Sequence, residues 1–263
     1  MARRHARAEN SARARRGASS MRTLLLRGML AGLLAGLCAF VFLKTLGESQ
    51  VGRAIRVEGR IDDANGVTPM PEVISRNIQS TLGLATGTTV VGVALGGVFA
   101  LAFAAAFGRV GSSDPRVAAV VLAACGFVVV NLVAFLNYPA NPPSIGQPDT
   151  IGRRTALYFL MLAISVLVAV GTLLVERRIA PRFGTWNASI VAGIGMVVVL
   201  GVLYAVLPSV NEVPATFPAS TLWRFRIASL GGQFVLWAVI GLVFGALTEA
   251  AQRPKRSTAV LQS

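Results

Sequence analysis

This chain reads as an all-α, polytopic membrane protein, a bundle of about six transmembrane helices in which the helical hairpin is a candidate building unit. Of its 263 residues, 54% are hydrophobic and only 14% are charged, against about 45–50% and about 25% in a soluble domain. One compact core cannot hide that much apolar surface. Six apolar stretches each reach the roughly 20 residues a helix needs to cross a bilayer. Alternating segments of about ten residues, the mark of a transmembrane barrel, are absent from the sequence. In hydrocarbon the backbone amides of the six stretches must then be paired within helices.

The stretches run over Leu24–Leu46, Leu84–Phe107, Val117–Leu136, Ala156–Val175, Ala188–Leu207 and Ile227–Leu247. Ahead of them, residues 1–20 are Arg, Ala and Ser without periodicity and are expected as a disordered arm. Met21 opens a segment that also reads as a natural beginning, so starts at Met1 and at Met21 both stay open. The first stretch is too long for a signal peptide and no small-x-small cleavage site follows it, so it is read as a retained helix. In the connection that follows, Pro71 and Glu72 mark a helix start. Ile74, Ile78 and Leu82 then recur every fourth residue, which predicts a short amphipathic helix leading into the second span. The connections "NYPANPPSIGQPDTIGRR" and "LPSVNEVPATFPASTLWRF" are rich in proline, which fixes the backbone, and are expected to be stiff. Each runs from a proline (Pro139 or Pro208) to an arginine pair (Arg153 and Arg154, or Arg224 and Arg226), so the last two hairpins look faintly alike. The transmembrane domain is expected over 21–248, with a short basic tail over 249–263.

The net charge of +14 first suggests nucleic acid, but its distribution does not. All the basic residues are Arg except Lys44 and Lys255, and most lie at the ends of apolar runs. That is how a membrane protein meets lipid headgroups, so the expected partner is the bilayer and not nucleic acid. Fifteen basic residues fall on the side of the termini and eight on the other, which puts both termini in the cytoplasm. Two cysteines, Cys38 and Cys125, make no disulfide framework and are expected as buried small hydrophobes.

No phosphate loop, nucleophile elbow, H-E-x-x-H or C-x-x-C occurs, and the single histidine is His5. An enzyme has few tools here, and none is expected. What remains is a set of carboxylates and amides at membrane mouths. Glu48, Asn137, Asn141, Asp149 and Glu212 are the candidates for admitting a metal or substrate. Oxygen donors of this kind suit a weakly held divalent cation, and ordinary loop polarity or helix capping is the plainer reading of each. Tyr138, Pro139, Pro142, Pro143, Arg153, Arg154, Arg224 and Arg226 are read as structuring the loops, with Arg153 and Arg154 expected to pair with Asp149. Gly28, Gly32 and Gly36 recur every fourth residue, as do Gly92 with Gly96 and Gly241 with Gly245. Such stripes let backbones approach closely, within the bundle or against a second subunit.

The segment "LNYPANPPSIGQPDTIGRRTALYFLML" resembles the signature stretch of the CbtA family of predicted cobalt transporter subunits. The opening "RGMLAGLLAGLCAFVF", followed by "GESQVGRAIRVEGR", and the late "VPATFPASTLWRFRIASLGGQFVLWAVIGLVFG" are similar to the same family, over about Met21 to Leu247. The matching positions are Glu48, Glu58, Tyr138, Pro139, Asn141, Pro142, Pro143, Asp149, Thr150, Arg153, Thr155, Trp223, Arg224 and Arg226, with Ser49 where a proline is expected. The resemblance implies a multi-pass subunit in the bacterial cytoplasmic membrane that supplies cobalt for cobalamin synthesis. It also implies a small, single-span, histidine-bearing partner of the CbtB kind. Co²⁺ is then the transported ion, and no tightly bound cofactor is expected. A non-transporting scaffold that anchors or stabilises a partner is the alternative.

Overall fold

The computed structural model describes the backbone of residues 2–64, 66, 74–108, 114–143, 145 and 148–252, and side chains from Met21 onward within those limits apart from those of Asp62, Pro148 and Gln252. Most of the described residues are helical, and none of them is in a strand. Nine α-helices are described: α1 (Ala2–Phe42), α2 (Glu48–Ala64), α3 (Arg76–Ile78), α4 (Leu84–Ala106), α5 (Pro115–Gly126), α6 (Val133–Asn137), α7 (Ile151–Phe183), α8 (Thr185–Val206) and α9 (Ala219–Gln252). Short π-helical stretches at Leu43–Gly47, Gln79–Gly83 and Phe127–Leu132 join α1 to α2, α3 to α4 and α5 to α6 without a break. The result is six helices long and apolar enough to span a membrane, Met21–Ile61, Arg76–Ala106, Pro115–Asn137, Ile151–Phe183, Thr185–Val206 and Ala219–Ala251.

Several ends differ from the sequence expectation, for one reason. The apolar window measures where a helix is oily, not where it stops. The first helix continues to Ala64, well past Leu46, because Glu48–Ala64 is built from residues that tolerate helix and contains no proline. The fourth continues through Glu176, Arg177 and Arg178 to Phe183, and the fifth begins two residues later. Gly184 alone makes that turn at φ +75°, a backbone conformation that favours glycine. The Ser189 hydroxyl donates to the Glu176 carboxylate at 3.1 Å and ties the two helices near the turn. Ile78 and Leu82 lie in the turns that run directly into the second span, both exposed, with Ile74 just ahead of them. Pro71 and Glu72 lie outside the described residues. The backbone of 2–20, expected as a disordered arm, continues α1, and its side chains lie outside the described residues. The basic tail from Arg253 also lies outside them.

The chain forms two compact units. One takes Met1–Phe42, Ile74–Ala124 and Phe234–Ser263. In it α1 and α4 lie against each other through glycine. A Cβ on Gly28 would meet the Gly96 carbonyl oxygen at 2.2 Å, one on Gly32 the Gly92 oxygen at 2.0 Å, and one on Gly36 the Thr88 oxygen at 2.6 Å. Positions rise along α1 as they fall along α4, so the pair is antiparallel with its backbones in direct contact. Gly241 and Gly245 of α9 meet Ala119, Ala123 and Arg116 of α5 in the same way. Phe99, Phe103, Trp237 and Phe244 fill this unit's core edge to face, with Phe244 centred 5.2 Å from Phe99 and 5.0 Å from Phe103. Asp114 caps α5 by accepting from the Arg116 and Val117 amides, with Pro115 in the first turn where no amide hydrogen is needed. Arg116 pairs with Glu249.

The other unit takes Leu43–Val73 and Cys125–Gln233. Val133, Ala134, Met161 and Leu200 form one buried cluster, and Ala54, Ile145 and Phe217 form a second. The second cluster sets α2 against both proline-rich connections, so part of the connection after the first stretch is a helix that supports them. Cys125 is exposed and Cys38 half-buried, which corrects the expectation of burial. In a spanning helix an outward apolar side chain faces lipid, so a cysteine there needs no interior.

Candidate functional site

In the second unit a π-helical stretch interrupts the third span at Phe127–Leu132. A π-turn shifts the backbone register and leaves carbonyls short of their helical donors. Two neighbouring helices supply them. The Ser165 hydroxyl of α7 donates to the Val129 carbonyl at 2.6 Å, and the Tyr204 hydroxyl of α8 donates to the Val133 carbonyl at 2.6 Å. Ser165 is fully buried. Such bonds are how an irregular helix is tolerated inside hydrocarbon. The bulge also carries Asn131, a polar residue in an apolar run, which lines a cavity of about 600 Å³.

That volume is within the usual range for a small-molecule site. Its floor is the end of the third span, at Asn131 and Phe135. Its rim is Tyr138, Pro139, Ala140, Asn141 and Ile145 of the first proline-rich connection. One wall is the start of α7, with Ile151, Arg154, Thr155, Tyr158 and Phe159. The other is α9, where Arg226, Ser229, Leu230 and Gln233 recur at helical spacing and so share one face. Among the described residues, two arginines therefore line the cavity and no Asp or Glu does.

The arginines also hold the rim. Arg226 donates from Nε to the Ala140 carbonyl at 3.3 Å and from Nη2 to the Asn141 Oδ1 at 2.9 Å. Arg154 donates from Nη1 to the Ile145 carbonyl at 3.3 Å and pairs through Nε with Glu212 at 3.4 Å. Both members of that ion pair are largely buried. The Tyr138 hydroxyl donates to the Pro208 carbonyl at 3.0 Å and links the two proline-rich connections. Pro142 is fully buried and its carbonyl accepts from the Ile145 amide, while Pro143 is exposed. Arg153 and Arg224 are exposed.

The candidate carboxylates and amides are not gathered at one point. Glu48 is half-buried at the start of α2. Asn137 ends α6 with its amide nitrogen buried and without a hydrogen-bond partner among the described residues. Asn141 lines the cavity and Glu212 is taken up by Arg154. Asp149 is exposed in the short turn Pro148–Thr150 ahead of α7. The partner of Arg154 is thus Glu212 and not Asp149: Arg154 is half-buried between Ile145 and Glu212, while Asp149 stays exposed. Among the described residues no three His, Cys, Asp or Glu side chains come together as a metal site. Sequence reasoning named Thr155 only as a family-matching position and did not single out Ser229 and Gln233. Gln233 had a signal, since it is a polar residue two turns beyond Arg226 in an otherwise oily helix.

Six helices long and apolar enough to span a membrane, with a polar cavity in one unit, define a multi-pass membrane protein. The family model for CbtA, described as a probable cobalt transporter subunit, matches residues 21–249. The chain belongs to that family. No curated protein and no solved structure matches it.

Proposed function

We propose that the chain is the membrane-spanning subunit of a cobalt uptake system that serves cobalamin synthesis in the bacterial cytoplasmic membrane. The family match over residues 21–249 carries this reading. The single histidine, His5, falls before the matched region. Nitrogen ligands for a borderline metal such as Co²⁺ then come from elsewhere, which favours a small histidine-bearing partner with one span. Both termini are cytoplasmic, from the fifteen-to-eight excess of basic residues on their side. The proline-rich connections and the acids Glu48, Asp149 and Glu212 then face outward, and exposed Asp149 is the best placed of the three to attract a hydrated cation. Cells that carry the chain and its partner should accumulate ⁵⁷Co²⁺ above cells that carry the partner alone. Asp149→Asn should lower that accumulation at unchanged protein level, and unchanged accumulation would remove Asp149 from the pathway.

A second reading, a scaffold that anchors the partner without conducting metal, is favoured by the dispersal of the carboxylates over separate elements. Liposomes loaded with a metal-sensitive dye separate the two. Metal influx that needs this chain supports transport, and influx with the partner alone supports the scaffold.

A further inference from the structure

We propose that the cavity of the second unit binds an oxyanion of the phosphate or carboxylate type, gripped by Arg226, and does not admit a bare divalent cation. This goes beyond the transport reading and does not depend on it.

The first ground is charge. Among the described residues the cavity is lined by Arg154 and Arg226 and by no acid. Arg154 is already matched by Glu212. Arg226 is half-buried, and its partners are a backbone carbonyl and an amide oxygen, both neutral. Among the described residues no carboxylate pairs with it. A partly buried guanidinium with neutral partners keeps its full charge, and the described residues take two of its five N–H donors. Planar, forked donors of this kind match an oxyanion.

The second ground is the arrangement of neutral groups. Ser229 and Gln233 follow Arg226 on one face of α9, and Thr155 and Asn131 line the facing walls. Hydroxyl and amide groups donate to anionic oxygen. The third is the setting. Ile151 and Phe159 line the cavity yet are 54% and 60% exposed. On a spanning helix such exposure faces lipid, so the cavity has an apolar side beside its cationic end. That combination fits the headgroup of an anionic phospholipid, and the same Arg226 chemistry would take a free oxyanion.

The test uses the full chain purified in a neutral maltoside, with thermal unfolding followed by tryptophan fluorescence. The probes are dioleoylphosphatidylglycerol, dioleoylphosphatidylcholine, sodium phosphate and cobalt chloride. The expected result is a rise in midpoint of about 3–6 °C with phosphatidylglycerol at roughly ten times its Kd, and none with phosphatidylcholine. A rise with phosphatidylglycerol alone identifies a headgroup, and a rise with phosphate as well identifies a free oxyanion. Arg226→Gln should abolish the rise. Because that change also releases the rim, Gln233→Phe, which fills the cavity and leaves Arg226 intact, should abolish it too. The proposal is overturned if neither anion raises the midpoint, if the rise survives in both variants, or if cobalt chloride alone protects the wild type and Gln233→Phe removes that protection. Loss of anion protection leaves ⁵⁷Co²⁺ accumulation to be judged separately, so the two readings fail independently.

Discussion

Replacing Gly32 by alanine tests whether the backbone contact between α1 and α4 holds the first unit together. An added Cβ would sit 2.0 Å from the Gly92 carbonyl oxygen and 2.7 Å from its carbon, and ordinary contact begins at 3.4 Å. The shortfall of 1.4 Å, the difference between 3.4 and 2.0, falls on two backbones and not on a flexible side chain. The helices must part by about that much locally, and a gap of 0.5–1 Å already forfeits about a quarter to a half of each dispersion well along the seam. Overpacking of this kind costs about 1–3 kcal/mol, and a backbone clash belongs at the upper end. Alanine returns about 1 kcal/mol over glycine in helix propensity. The net is a loss of about 2 kcal/mol, or a fall of about 4–8 °C in unfolding midpoint for a chain of this size. Gly195→Ala is the control, since a Cβ there meets nothing within 4 Å. It should leave the midpoint level or raise it. The assay is thermal unfolding of the full chain in detergent. A Gly32→Ala protein that unfolds within about 1 °C of wild type, or a Gly195→Ala protein that falls as far, would refute the close-contact argument.

Other consequences are open to the same assay. Ser165→Ala takes a hydroxyl donor from a carbonyl within the π-helical stretch and Tyr204→Phe from one just after it, and each should lower stability by about 1 kcal/mol. Arg154→Gln or Glu212→Gln leaves one largely buried charge unmatched and should cost about 1–3 kcal/mol. The double variant should recover part of that loss, and protease cleavage within 207–218 should track the same order.

The number and position of the spans were legible because hydrocarbon imposes a minimum length of apolar sequence that nothing else in a 263-residue chain requires. Their ends were not. Glu176, Arg177 and Arg178 end an oily window, but they are good helix formers and α7 runs through them. The π-helical stretch at Phe127–Leu132 uses the same residues as an α-helix would, and its signature lies in distant hydroxyls, Ser165 and Tyr204, that only folding brings near. Glycine spacing announced close packing but not the partner, since Gly28 could meet any small-residue face. The cavity was the hardest to foresee. Arg226 and Arg154 shape its rim by binding the carbonyls of Ala140 and Ile145, and every residue carries a carbonyl. The acids stood out in sequence for their charge, and folding spends Glu212 on Arg154.

That last pairing bears on where a metal could travel. A divalent ion about 6 Å from one unmatched guanidinium meets a repulsion of about 5–6 kcal/mol at an effective dielectric near 20. That is a loss of about 10⁴ in occupancy. Glu212 offsets Arg154, so the penalty in the cavity comes mainly from Arg226. Arg226 cannot be removed without cost, because it holds Ala140 and Asn141 and with them the rim. The same side chain that gives the connection its shape therefore turns the cavity against free cations and toward anions. An oxyanion bound at Arg226 would cancel the charge and lift the barrier. Any metal movement through this unit then depends on what fills the cavity, and cobalt influx into liposomes of phosphatidylcholine alone should be slower than into liposomes that contain phosphatidylglycerol.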